Sequence, residues 1–199
     1  MHAQLTPGDT LNLRPVAKLF NISVTPMREA LLRLVSEKLL KINERGTIVV
    51  PALTLEEMLE IQSIRKDLEG RAAALAVNHA TKKDIARLEE FHRRMLEAKQ
   101  TEERRETLSW NAKFHLTLCE LGRCPITYEI VETLWVRCGP SLIHLFNVGL
   151  EQWDPHPHLD VIDALRTGDG PKARDAISRD IEFFSRRLQA ASAAESDAS

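Results

Sequence analysis

Ser23, Thr25 and Arg28 bring two hydroxyls and a guanidinium together in Ile22-Ser23-Val24-Thr25-Pro26-Met27-Arg28-Glu29-Ala30-Leu31. Hydroxyls beside the free amides of a helix start can hold a phosphate. An arginine in the first turn of a helix that lies in the major groove can make a bidentate pair with guanine. Arg45, followed by Gly46 in a later polar turn, is a second cation suited to a DNA backbone or minor groove. The plainer use of Arg28 is a surface ion pair with Glu29 or Glu37. Charge distribution favours the DNA reading. Residues 1–50 hold seven Lys/Arg and four Asp/Glu, a balance of +3, on a chain whose net charge is −2. The remaining residues hold 20 basic and 25 acidic side chains, a balance of −5. A basic first quarter on an acidic remainder suits a small DNA reader joined to a domain with another task.

Enzymatic chemistry has weaker support. The chain contains no G-x-S-x-G elbow, no H-E-x-x-H and no phosphate-binding loop. Cys119, Cys124 and Cys138 show no C-x-x-C spacing and read as buried reduced thiols. The chain is therefore read as non-enzymatic, with a metal-dependent hydrolase as the remaining catalytic rival. No apolar run approaches the roughly 20 residues needed to cross a bilayer. The first residues lack a signal-peptide pattern, so a cytoplasmic location is expected.

The elements that position these residues follow from local signals. Leu5-Thr6-Pro7-Gly8-Asp9 is turn chemistry. Asn12 can cap a short helix with Val16, Leu19 and Phe20 on one side, and Pro15 falls in its first turn. Thr25 as cap and Pro26 as first residue start a second helix with Ala30, Leu31 and Leu34 inward. Two short helices joined this tightly make a helix-turn-helix. Leu39–Ile42 and Thr47–Val50 then flank the turn Asn43-Glu44-Arg45-Gly46 as a hairpin, which makes the unit a winged helix. From Thr54 onward the pattern is helical. Thr54 with Glu57 forms a capping box, and Met58, Ile61, Ile64, Leu68, Ala72 and Leu75 supply an apolar stripe. Further helices start at Thr81, about Glu103 and Pro125, the last running to about Phe146. A loop follows over 147–156, then a helix over about 157–167, a break at Gly168-Asp169-Gly170-Pro171, and a sixth helix to about Ala190. The expected fold is mainly α: a winged helix-turn-helix with a small β wing over 1–51, an antiparallel all-α bundle over 54–190, and a disordered tail over 191–199.

The stretch Ile22–Leu31 resembles the helix-turn-helix of the GntR family of bacterial regulators, and Leu5-x-Pro7-Gly8 and Arg45-Gly46 fit at the expected places. The resemblance implies a homodimer that binds double-stranded operator DNA, with the second helix in the major groove and the wing tip at the minor groove. Arg14 matches a position where the family places a DNA-contacting arginine. Two departures stand out. Val24 occupies a position where many relatives carry another arginine, so one groove contact is expected to be absent. Only four residues precede Leu5, where the family has a full helix.

The second domain resembles the FCD ligand-binding domain of the FadR subgroup, through Arg65-x-x-Leu68-Glu69, Asn111-x-x-Phe114-His115, and His158 followed by Ala164-Leu165 and Gly168-Asp169. The resemblance implies a helical cavity holding a small organic acid, often over a divalent metal bound by one carboxylate and three histidines. Carried over, those positions are Asn111, His115, His158 and Asp180. Asn111 and His115 are i,i+4 and share a helix face. Asn replaces a carboxylate and Asp an imidazole, leaving two nitrogens and two oxygens. Such a set suits Zn, Ni or Mn, more weakly than the family's own. Arg65 is the first choice to meet an effector carboxylate and Arg137 the second, with an Arg65–Glu69 ion pair as the alternative. His144, Asn147 and His156 read as surface residues near the loop. The function expected is transcription regulation in which effector binding shifts the DNA-binding heads of a dimer. A ligand-sensing or scaffold protein with impaired DNA binding is the alternative.

Overall fold

The computed structural model describes residues 5–145 and 156–197, with side chains over 5–143 and 156–190. The chain divides into two compact units, Met1–Leu53 and Thr54–Ser199.

In the first unit, α1 (Leu13–Leu19) and α2 (Val24–Ser36) form the helix-turn-helix. The turn is tight because Asn21 adopts a left-handed φ of 54°, a region Asn enters more readily than most residues. Its helix-ending bonds are Asn21 N–H to Lys18 O at 3.1 Å and Ile22 N–H to Ala17 O at 3.0 Å. The cap of α2 is Ser23, not the expected Thr25, so Pro26 is the third helical residue. Proline is tolerated there because the first amides of a helix have no intrahelical acceptor. The wing pairs β1 (Lys41–Ile42) with β2 (Ile48–Val49), antiparallel, with Ile42 opposite Ile48. Asn43 closes its turn by accepting from the amides of Arg45 and Thr47 at 3.0 Å each, while Gly46 takes φ +74°. Residues 8–11 add a third edge unforeseen from sequence: Leu11 N–H donates to Ile48 O at 2.8 Å and Val50 N–H to Asp9 O at 2.9 Å. Leu11, Ala17, Met27, Leu31, Leu40, Ile48 and Val50 form the core beneath.

The second unit contains α3 (Leu55–Ala76), α4 (Lys82–Gln100), α5 (Arg104–Leu121), α6 (Pro125–Leu145), α7 (Pro157–Thr167) and α8 (Gly170–Asp197). The expected capping box of Thr54 with Glu57 forms, and Thr81 starts α4 through a second one with Asp84. Helix α8 runs on to Asp197, through most of the segment expected to be disordered. Ala191, Ala193, Ala194 and Glu195 are strong helix formers and extend it. The loop expected over 147–156 lies outside the described residues except for His156.

The phase of α3 departs from the expected stripe. Ile64 and Leu75 are exposed, whereas Gln62, Arg65 and Glu69 are buried beside Met58, Ile61, Ala72, Ala73 and Ala76. Ala73 and Ala76 join Ala173, Ala176 and Ile177 of α8 in the main core, where small side chains let two helix backbones approach. Phe114, Leu118, Val161, Ile162 and Leu165 complete that core.

Gly122, which ends α5, is required by the same close packing. Its φ of −67° suits any residue, but an added Cβ would lie 2.6 Å from the Ala72 carbonyl oxygen of α3. Gly122→Ala is therefore expected to cost about 1–3 kcal/mol through overpacking. Denaturant unfolding of the variant and its parent measures the difference.

Candidate functional site

The residues assigned to DNA all lie on the surface of the first unit. Arg14, Ser23, Thr25, Arg28, Arg45 and Gly46 are exposed. Arg28 is the fifth residue of α2, since the helix starts at Val24 rather than Pro26. Its buried neighbours Met27 and Leu31 hold the opposite face of α2 against the core, which turns Arg28 outward. The Glu37 carboxylate is engaged by Arg33 Nε at 2.9 Å. Among the described residues no salt bridge engages Arg14, Arg28 or Arg45.

The second unit buries a cluster of ionisable groups. His115 sits at its centre. From α5, its Nδ1 donates to Glu69 Oε2 at 2.5 Å and its Nε2 to Asp180 Oδ2 at 2.9 Å. Glu69 in turn accepts from Arg65 Nε at 2.7 Å, and the Arg65 guanidinium lies 3.6 Å from the Trp135 ring centre. Arg65, Glu69, His115 and Asp180 are each at most 3% exposed.

Burial opposes every charge in this chain of contacts, and the partners outweigh it. Burial pushes the Glu69 carboxyl up, but the charges of Arg65 and His115 hold it at about 2. Burial likewise lowers His115, but Glu69 and Asp180 raise it to about 9. With no metal present, His115 is therefore an imidazolium between two carboxylates.

His158, on α7, lies beside this chain. Its ring stacks on Phe114 with centroids 3.7 Å apart and planes at 5°. Its Nε2 is 3.5 Å from His115 Nε2, and its Nδ1 is 3.3 Å from His92 Nδ1 on α4. His156, the N-cap of α7, accepts from the His158 amide at 3.2 Å and packs against both His92 and His158. Burial lowers all three: His92 is shifted down, His156 falls to about 4, and His158 lies well below the usual histidine value, where the neighbouring histidines reinforce the shift. Burial thus favours the neutral imidazole in each of the three.

Among the described residues, two groups have the spacing to hold a cation, His115 with His158 and Asp180, and His92 with His156 and His158, the ligand atoms within each lying within 4.8 Å of one another. The donor chemistry fits a metal on one further point. Asp180 Oδ1 is buried with no hydrogen-bond partner among the described residues, 3.9 Å from His158 Nε2 and 4.0 Å from His156 Nδ1. Metal–ligand bonds of about 2.1 Å set tetrahedral neighbours about 3.4 Å apart.

The gntR family model of bacterial regulatory proteins matches residues 1–50, and the FCD domain model matches residues 60–183. The chain belongs to the GntR family and carries an FCD domain. The HTH-type transcriptional regulator McbR of Escherichia coli K12 is 37% identical over 142 residues, which are 71% of this chain and 64% of McbR. The chain thus spans just under two thirds of that relative. The transcriptional repressor RspR of the same organism is 22% identical over 190 residues, 95% of this chain and 83% of RspR. Among solved structures, E. coli McbR/YncC superposes with a TM-score of 0.84 at 31% identity, covering 93% of this chain and 89% of that one. A GntR regulator from Rhodococcus sp. RHA1 shares the fold, with a TM-score of 0.77 at 17% identity, over 94% and 90% of the two chains.

Of the FCD residues singled out in the sequence, His115, His158 and Asp180 come together, and Asn111 is buried one turn before His115 on α5. Arg65 is buried and held by Glu69, the alternative weighed in the sequence. Arg137 is half-buried, with Nη2 3.7 Å from Glu57 Oε1. His156 is in the cluster rather than on the surface. Asn147 lies outside the described residues, as does the side chain of His144. Sequence reasoning missed His92, although it continues the inward spacing of Leu88 at i+4. It also missed Glu69 as the group that orients His115.

Because Glu69 depends on Arg65, Arg65→Met is expected to lower stability by about 3–5 kcal/mol, the cost of stranding a buried charge. Urea unfolding gives the value. A loss under about 1 kcal/mol would show that Arg65 is not needed to hold Glu69 and is available to a ligand.

Proposed function

We propose that this chain is a cytoplasmic, homodimeric regulator of transcription whose affinity for double-stranded operator DNA is set by a small organic acid in the FCD domain. The observation that carries the DNA half is the exposed, uncommitted Arg28 on α2, accompanied by Ser23 and Thr25 at the same helix start and by Arg14, Arg45 and Gly46. Arg28 would read a base edge, and the hydroxyls and wing would hold phosphates or the minor groove. The match of residues 1–50 to the gntR model, and the names of the relatives, support that assignment.

The sensing half rests on the cluster around His158. A polar core of this kind costs stability unless every charge is paired, so the orphaned oxygen of Asp180 favours a bound cation. His115, His158 and Asp180 are the carried-over residues available to hold it, with Asn111 as a neutral oxygen donor. Zn, Ni or Mn would suit the set, and a bound ion would supply a Lewis-acid site for an effector carboxylate. With Arg65 committed to Glu69, Arg137 is the freer cation for that carboxylate. Effector and operator would then be linked by unequal affinity for two arrangements of the dimer.

Arg28→Ala is expected to weaken binding by about 1–3 kcal/mol and to relax specificity at one base position. Gel shifts on DNA upstream of the protein's own gene, at fixed salt, make the comparison. Unchanged affinity would remove Arg28 from base recognition. For the sensing half, elemental analysis of purified protein should find about one divalent ion per chain. That content should drop sharply in His158→Gln, with a cooperative unfolding curve retained. Metal-free wild-type protein that binds none on addition would end the metal reading.

A further inference from the structure

The exposed side of α2 carries one side chain that the DNA reading leaves without a role. Val24 is the first residue of that helix and keeps 38% of its surface exposed. We propose that Val24 packs against the 5-methyl group of a thymine in the major groove, within about two base pairs of the base that Arg28 reads. This rests on the DNA reading above and adds a second sequence preference to it.

Placement is the first argument. Val24 and Arg28 are i and i+4, so they stack on one face of α2. Both are exposed, while Met27 and Leu31 turn into the core. A rise of about 1.5 Å per residue sets the pair about 6 Å apart along the helix axis, close to two base-pair steps of about 3.4 Å. Side chains of a helix tilt toward its N-terminus, so Val24 projects from the helix start, the part of a recognition helix nearest the base edges. Ser23 caps that start without a side-chain capping bond, which leaves its hydroxyl to hold a phosphate beside Val24.

The second argument is the chemistry of the side chain. Valine has no donor or acceptor with which to read a base edge. The thymine 5-methyl is the one methyl group in the major groove, where the other recognition groups are hydrogen-bond donors and acceptors. Facing those, valine would displace water from polar atoms and return no hydrogen bond, which costs free energy. Facing the methyl, it removes apolar surface on both sides from water. The branched side chain also has one strongly preferred rotamer in a helix, so little conformational freedom is lost on contact.

The test uses the full wild-type chain to select binding sites from a library of random duplex DNA. Uracil, which differs from thymine only in lacking the 5-methyl, then replaces each thymine of the selected duplex in turn. Gel shifts at fixed salt give the affinities. At one thymine, uracil should weaken wild-type binding about fourfold, the worth of one buried methyl group. Val24→Ala should bind the thymine and uracil duplexes nearly alike at that position, and it should fold normally because Val24 lies outside the core of its unit. Its salt dependence should match that of the wild type, since no phosphate contact is lost. The same loss in both proteins at every thymine, or no thymine at which uracil matters, would overturn the methyl contact while leaving Arg28 and the DNA reading in place. Failure of the wild type to select any duplex would overturn both.

Discussion

The buried run Arg65–Glu69–His115–Asp180 is the constraint around which the helical domain is arranged. Two carboxylates sit in the interior, and neither is tolerable there without a cation beside it. Arg65 and Glu69 are one turn apart on α3, but His115 comes from α5 and Asp180 from α8. The network thus ties three helices to one relative placement. It explains why α3 turns Gln62, Arg65 and Glu69 inward while leaving Ile64 and Leu75 in water.

Apolar packing then works around this polar centre. Alanines on α3 and α8 permit close approach, and Gly122 admits the end of α5 against the Ala72 carbonyl. Phe114 belongs to both worlds: it is fully buried in the main core and gives His158 its stacking surface. Phe114 and His115 are adjacent on α5, so one residue can pack the core while its neighbour enters the polar cluster. The position of the histidines is therefore inseparable from the integrity of the core.

The DNA-binding unit is built on a different principle. Its core is small and wholly apolar, and its charged groups are outside. Nothing in the interior competes for Arg28, and Glu37 is engaged by Arg33. A surface arginine of this kind costs little to keep free because water solvates it until a partner arrives. The two units thus handle charge in opposite ways: one leaves it exposed for a polyanion, the other buries it in compensated pairs.

Much of this could be read from local pattern. Turn residues, capping boxes and the change from period 3.6 to period 2 and back marked the helices and the wing, because each depends on residues a few positions apart. The motif residues pointed to the family and brought His115, His158 and Asp180 into one candidate site. What local pattern could not decide was the phase of α3, the pairing of residues 8–11 with the wing, and the inclusion of His92 and His156 in the cluster. An apolar stripe does not reveal that a neighbouring Arg and Glu will be buried too, since their burial is affordable only when His115 arrives from another helix. In the same way, His92 and His156 lie 64 positions apart in sequence, and only the packing of α4 against α7 makes them neighbours. Local periodicity chose the elements; long-range compensation of buried charge chose which faces they turn toward one another.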